Sequence, residues 1–489
     1  MSAPGLPRLL PAALALGGGL VAAALALALP GLGAKGLAAS MGLVAVAALM
    51  LLTRRPVEVL AGFAVLALTY NRHYFRPFAA LTGTPVGEGL FWIPADPLLL
   101  ALLLAIVAER ALGRAPEVPA TPFPTWPVQP LLAACLVSTL AAERMDLAAA
   151  ETMRVVKFAL LLALLARRMD AALWRTLAAA FGITVLAQSG LGVLQVAFRA
   201  GDSLLATFGG AAETLVEGFE NRARGSMGHP NILAPWLLML APGAFGLALF
   251  SRSRALRAAG FVITIAAMAG VFAAKSRAPG LLMLAALGGV ALGALALRAL
   301  PARAAAGGAI WALLLLAAAL TPFAGDIAER FRGDFARSVT FRADYNRAAL
   351  EVFDRHPLLG AGLAGSGARM AELSAGIALE LAAVTATAES AGVRAAAPVH
   401  NLYILMLAEA GLPGLVGFLL LLGGILWRGA AAVRRCSGGT RGIALGLTLG
   451  IGAQAVQQTV DFSLWWDPSW YSLAIAAALL ATARDGAVP

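Results

Sequence analysis

The chain has 489 residues, 60% of them hydrophobic and 13% charged, with a formal net charge of +11. At a mean hydropathy of +0.82 it is far too apolar for a soluble globular protein, and no sequence feature points to nucleic acid. An all-α polytopic integral membrane protein is expected, because a spanning segment must satisfy its backbone polar groups internally.

Roughly fourteen transmembrane helices (about 12 to 14) are expected from runs long enough to cross a bilayer. In chain order they lie near residues 9–29, 37–52, 57–68, 98–112, 128–140, 152–166 and 177–198. The rest lie near 232–250, 258–273, 280–297, 309–320, 402–426, 443–460 and 472–481. The first resembles a secretory signal, with Arg8 before the apolar core and Gly33-Ala34 before Lys35; the core is long for a signal, so an uncleaved helix is expected. Arg54-Arg55, Arg110/Arg114, Arg167-Arg168/Arg175, Arg252/Arg254/Arg257, Arg298/Arg303 and Arg428/Arg434/Arg435/Arg441 fall in alternate loops. The positive-inside rule puts those loops, and both termini, in the cytoplasm. Cys135 falls in an expected span and Cys436 in a cytoplasmic loop, so no disulfide is expected.

Three longer polar segments, 70–96, 200–231 and 323–399, then face outward, and segments of that length commonly carry function. The expected division is an N-terminal membrane block at 1–322 with about eleven spans, a large extracytoplasmic loop at 323–399 and a C-terminal block at 400–489 with about three. Helical patterns near 345–353 and 368–385 make that loop a mainly helical cap.

The loop ends at Ala397-Pro398-Val399-His400-Asn401-Leu402-Tyr403, where an apolar helix begins. A histidine in a helix's first turn feels the positive end of the macrodipole, which favours the neutral imidazole that a general base needs. His400 is the catalytic candidate, with capping by His400 and Asn401 the alternative. The second outer segment ends in Asn221-Arg222-Ala223-Arg224-Gly225-Ser226-Met227-Gly228-His229-Pro230-Asn231. Arginine forks grip phosphate oxygens, and small residues beside them let a headgroup approach, so Arg222 and Arg224 are pyrophosphate candidates, with interfacial anchoring to anionic lipid the alternative. Lys275-Ser276-Arg277 forms a tight outer turn before Pro279, and Arg277 is a candidate to complete the anion site, with snorkelling the alternative. Arg154 and Lys157, one turn apart in a span, are candidates to line a polar entrance. Glu409 lies on roughly the opposite face of the His400 helix and reads as a packing or partner charge; Gln454, Gln457 and Gln458 are hydrogen-bonding candidates.

Other motifs are set aside. Gly360-Ala361-Gly362-Leu363-Ala364-Gly365 fits G-x-G-x-x-G but follows Arg355-His356-Pro357 with no βαβ context. Trp465-Trp466-Asp467 is followed by Pro468 and reads as an interfacial aromatic belt. Four scattered histidines and two separated cysteines assemble no metal site, and no cofactor is expected.

Taken together, these stretches resemble the O-antigen ligase and polymerase superfamily. The resemblance rests on Arg224-Gly225-Ser226 with His229-Pro230-Asn231, on Ser276-Arg277, on the segment from Arg355-His356-Pro357 to Gly362, and on His400-Asn401-Leu402-Tyr403 with Glu409-Ala410-Gly411-Leu412-Pro413-Gly414. It implies a GT-C-like, metal-independent inverting glycosyltransferase of polysaccharide or lipopolysaccharide biosynthesis. Such an enzyme moves a glycan from undecaprenyl pyrophosphate to a lipid or glycan acceptor hydroxyl at the outer face of a bacterial inner membrane. The resemblance puts the donor pyrophosphate on Arg224 and Arg277, with Arg222 the less certain assignment, and acceptor activation on His400. Asn401, Arg154, Lys157, His229, Asn231 and Glu409 are supporting candidates. Partners implied are the lipid-linked donor, the acceptor, membrane lipids and polysaccharide-assembly proteins. Chain polymerisation is the close alternative to ligation; a polyprenyl-glycan flippase and a structural scaffold are alternatives from other classes.

Overall fold

The computed structural model describes residues 46, 49–50, 53–70, 93, 95–118, 125–198, 222–299, 335–374 and 399–488. Among these the regular secondary structure is all helical, joined by turns. Helices α1 (Pro56–Leu68), α2 (Ala95–Ala111), α3 (Gln129–Ala141), α4 (Met145–Arg168) and α5 (Ala171–Phe198) precede α6 (Pro230–Phe250), α7 (Arg254–Ala273) and α8 (Arg277–Ala296). Then come α9 (Phe335–Arg355), α10 (Ser366–Leu373), α11 (Leu402–Arg435), α12 (Gly438–Gln457), a 3-10 turn at Ser463–Trp465 and α13 (Asp467–Thr482). The expected spans from 57–68 to 280–297 and from 402–426 onward fall on α1–α8 and α11–α13. Those near 9–29 and 309–320, and most of 37–52, lie outside the described residues. Helices α5, α6, α7, α8 and α11 are long and apolar enough to cross a membrane, while α1 and α3 are shorter apolar helices.

Local chemistry accounts for the helix starts. Proline occupies the first turn of α1, α3, α6 and α13, where its missing N–H costs nothing. The sequence pattern near 345–353 lies inside α9. The pattern near 368–385 becomes α10, but it stops at Leu373, where Ser374 takes extended backbone, as short polar side chains commonly do at helix ends. Residues 375–385 lie outside the described set.

Among the described helices, α6 and α12 pack most closely. Gly442, Gly446 and Gly450, four residues apart on α12, lie directly on Gly246, the Pro242 carbonyl and the Met239 carbonyl of α6, and a methyl group at any of the three would overlap backbone. In lipid, where apolar side chains gain little by leaving their surroundings, such close backbone approach is a main source of helix association. At the end of the bundle away from this contact's Gln457 end, Arg168 of α4 pairs with Glu58 of α1 at 3.5 Å, with Asp170 at 3.2 Å, and with Glu109 of α2.

Helix α11 breaks once. Gly411 has φ 67° and ψ −168°, and Pro413 follows. In an uninterrupted helix the Leu412 N–H would donate to the Ala408 carbonyl. Here the turn between α9 and α10 takes both groups: Leu412 N donates to the Pro357 carbonyl at 2.9 Å, and the Ala408 carbonyl accepts from Ala361 N at 2.8 Å. Proline has no N–H for the Glu409 carbonyl, which accepts from Ser138 Oγ at 2.8 Å instead. The segment from His356 to Gly362 and the segment from Glu409 to Gly414 thus complete each other's hydrogen bonding. This is the physical role of the glycine-rich turn.

Candidate active site

The polar stretch before α6 is held by two glutamines seven residues apart on α5. Gln195 Oε1 accepts from the backbone N–H of Arg224 at 3.0 Å and of Gly225 at 2.9 Å, while its Nε2 donates to the Gly225 carbonyl at 3.0 Å. Gln188 Oε1 accepts from Ser226 N at 2.9 Å, and Gln188 Nε2 donates to Ser226 Oγ at 2.7 Å and Thr69 Oγ1 at 2.9 Å. Gly225 has φ 58°, and a Cβ there would run into Gln188 Oε1. The expectation that small residues leave room for a headgroup is corrected at this position: the space at Gly225 is filled by Gln188.

Arg222 and Arg224 are both buried, at 7% and 6% exposure. The Arg222 guanidinium is fixed in a definite place. Its Nε donates to the Ala274 carbonyl at 2.9 Å and its Nη2 to Asn231 Oδ1 at 2.9 Å, while Ala223 N donates to the Ala273 carbonyl at 2.9 Å. Arg222 therefore sits at the end of α7, beside the Lys275-Ser276-Arg277 turn. Lys275 takes a left-handed φ of 50° there, and Arg277 opens α8 half-buried.

His229 caps α6. Its Nδ1 accepts from Asn231 N at 3.1 Å, which leaves the ring proton on Nε2. Burial and the positive charge of Arg222 push its pKa down to about 4; Asp461 acts in the opposite sense, and His400 adds to the depression. His229 is neutral at physiological pH, a hydrogen-bond donor beside a fixed guanidinium. Arg222, Asp461 and His400 each lie close enough for their charge to act on His229.

His400 stands before α11 rather than in its first turn. The cap is Asn401, whose Oδ1 accepts from Tyr403 N at 3.0 Å and Ile404 N at 3.2 Å. The expected first-turn position of His400 is therefore corrected, because the asparagine side chain is the better acceptor for orphan N–H groups. The His400 side chain is 27% exposed; its Nδ1 lies 3.7 Å from Asp461 Oδ1, and its ring meets Phe462 edge-on at 5.6 Å between centroids. Asp461 is held in turn by Phe462 N, which donates to Oδ1 at 2.8 Å. Leu402 N donates to the carbonyls of Gln458 (2.9 Å) and Asp461 (3.1 Å), so the start of α11 is tied to the turn after α12. Gln458 braces that turn, donating through Nε2 to Ser463 Oγ at 3.3 Å and accepting from Leu464 N at 3.0 Å.

The remaining candidates lie apart from this group or serve other contacts. Glu409 is 1% exposed, nine residues along α11 from His400, and its Oε1 accepts from Ser366 Oγ at 2.8 Å at the kink. Arg154 and Lys157 are paired with carboxylates: Arg154 lies 3.1 Å from Glu151 Oε2 and 3.3 Å from Asp467 Oδ1, and Lys157 lies 3.0 Å from Asp96 Oδ1. Trp465 is buried, with its indole N–H donating to Glu151 Oε2 at 3.0 Å, which corrects the interfacial-belt reading for that residue.

Asp461, Gln188 and Gln195 are the site residues that sequence reasoning missed. Two glutamines one heptad apart in an apolar stretch were a usable signal for the clamp, and Asp461 is the acid that follows the Gln457-Gln458 pair.

Residues 260–419 match the family model described as O-Antigen ligase, a stretch that contains Arg277, His400 and both halves of the α11 interlock. No curated protein matches the chain.

Proposed function

We propose that this chain, whose residues 260–419 match the O-Antigen ligase family model, is a metal-independent inverting glycosyltransferase using a polyprenyl-pyrophosphate-linked glycan. The acceptor is a lipid hydroxyl, and transfer takes place on the outer face of the inner membrane. One observation supports this reading: His400, with Asp461 3.7 Å away, and Arg222 all act by charge on His229, although three distant parts of the chain supply these residues.

Pyrophosphate is a good leaving group, so the protein mainly has to stabilise its growing charge and orient the acceptor. The fixed Arg222 guanidinium, with Arg224 and Arg277, holds the phosphates, and neutral His229 donates through Nε2 without adding a titrating charge. Nδ1 of His400 faces Asp461, leaving Nε2 to take the proton of the acceptor hydroxyl. The hydroxyl oxygen attacks the anomeric carbon as the bond to the pyrophosphate oxygen breaks, with inversion. Asp461 stabilises the imidazolium that forms.

The test is transfer by the purified protein from an undecaprenyl-pyrophosphate oligosaccharide, with and without chelator, in wild type and His400→Ala. The expected result is chelator-resistant transfer that the variant loses. A single lipid-linked product marks a ligase and a ladder marks a polymerase. Full transfer by His400→Ala would overturn the assignment.

A further inference from the structure

A cavity of about 440 Å³ opens at the opposite end of the helices that carry the candidate site. Helices α6 and α8 start at the site and end here, whereas α7 and α12 start here and end at the site. Twenty-odd residues at 1.5 Å each separate the two by about 30 Å. The cavity is lined by Arg252, Arg257 and Arg441, by Gly438 at the start of α12, and by Phe250 and Leu297 at the ends of α6 and α8.

Three features give it the chemistry of a phosphate site. Arg252 and Arg257 have no carboxylate partner among the described residues, and Arg441 gives its Nε to the Cys436 carbonyl, which leaves its terminal nitrogens for another acceptor. The start of α12 has no side-chain cap: Ser437 Oγ donates to Asp485 at 2.8 Å instead of accepting from the helix, and Gly438, the first helical residue, adds no side chain of its own. By contrast α7 is capped conventionally, with Ser253 Oγ accepting from Leu256 N. Uncapped N–H groups at a helix start, facing three guanidiniums, form an anion site. The Asp485 carboxylate accepts from Ser437 at this edge and keeps its charge, so three guanidiniums stand against one carboxylate and the rim is positive on balance. The apolar wall of Phe250 and Leu297 is of no use to a free phosphate ion but suits the glycerol and first acyl carbons of a lipid.

We infer that this cavity binds the phosphodiester of an anionic phospholipid, on the membrane face opposite the candidate active site. The inference is independent of the proposed transfer reaction. It is tested with full-length protein in a neutral detergent, titrated with dioleoylphosphatidylglycerol, dioleoylphosphatidylcholine or inorganic phosphate. Melting temperature and bound lipid per chain are the readouts, in wild type and in Arg252→Gln/Arg257→Gln. Both substituted arginines are exposed, so the variant should melt like wild type without lipid. The expected result is saturable phosphatidylglycerol binding that raises the wild-type melting temperature, weakened by about tenfold or more in the double variant, with little response to phosphatidylcholine. Equal phosphatidylglycerol responses in the two proteins would mean diffuse annular binding and overturn the site. A phosphate response as large as the lipid's would assign it to a free anion and overturn the lipid.

Discussion

Replacing Asp461 by asparagine isolates what its charge does for His400. The substitution keeps Oδ1 as the acceptor for Phe462 N–H, so the turn is preserved while the charge is removed. At 3.7 Å from His400 Nδ1, a full carboxylate stabilises an imidazolium by about 4 kcal/mol at an effective dielectric near 20, and by about 1 kcal/mol under bulk-water screening. His400 is about a quarter exposed, which puts the pair between those limits. At about 1.4 kcal/mol per tenfold in rate, the variant should lose roughly 5- to 1,000-fold in kcat, centred near 100-fold. KM for the lipid-linked donor should change little, because the pair acts on the charge that develops in the transition state. Steady-state transfer by purified protein, with donor and acceptor varied separately, measures both constants. A kcat within twofold of wild type in Asp461→Asn, alongside an inactive His400→Ala, would refute Asp461 as the imidazolium's partner.

Three further outcomes follow from the packing and charge of the site. His229 has its folded-state pKa pushed down to about 4 against about 6.5 unfolded, so between those values the unfolded chain binds more protons and stability falls as pH falls. Between pH 7.5 and pH 5 wild type should lose up to about 2 kcal/mol more than His229→Asn, which keeps a capping side chain without titrating; equal losses in detergent melts would remove the effect. Arg154→Met leaves Glu151 and Asp467 buried without their cation and should cost about 3–5 kcal/mol, partly recovered by adding Glu151→Gln, as read from melting temperatures. Gly446→Val drives a side chain into the Pro242 carbonyl and should cost about 3 kcal/mol, whereas Gly423→Ala, which meets no neighbour, should be neutral or slightly stabilising; similar melts for the two would contradict the close α6–α12 contact.

How far the sequence reveals this molecule depends on whether a property belongs to one segment or to a pair of them. Lipid imposes length and apolarity on each span separately, so the runs at 232–250 and 402–426 are visible without knowing their neighbours. A polar residue at the boundary of such a run, such as His400, is visible for the same reason. The macrodipole consideration that singled it out applies in the fold to the other boundary histidine: His229 caps α6, while Asn401 takes the capping position on α11 and leaves His400 outside. Both are Asx- or His-type acceptors one residue from a helix start, and only the backbone geometry distinguishes them. Arg222 and Arg224 read identically in sequence. They differ in the structure because Gly225 turns the chain onto Gln188 and Gln195, pinning the backbone of Arg224 while the Arg222 side chain reaches the Ala274 carbonyl.

Asp461 was illegible for a stronger reason. It lies 61 residues beyond His400, and the two meet because α11 starts against the turn that ends α12. The position of that turn is set in turn by Gly442, Gly446 and Gly450 lying on the backbone of α6. Those glycines carry no chemistry of their own, and their spacing on a helix resembles the many other glycines of this chain. The same contact that brings Gln458 and Asp461 to His400 also brings the start of α6, with His229 and Asn231, to the same place. The geometry of the candidate site is thus fixed by close packing along the length of two helices. A substitution at Gly446, deep in the bundle and bonded to nothing in the site, should therefore reduce transfer along with stability.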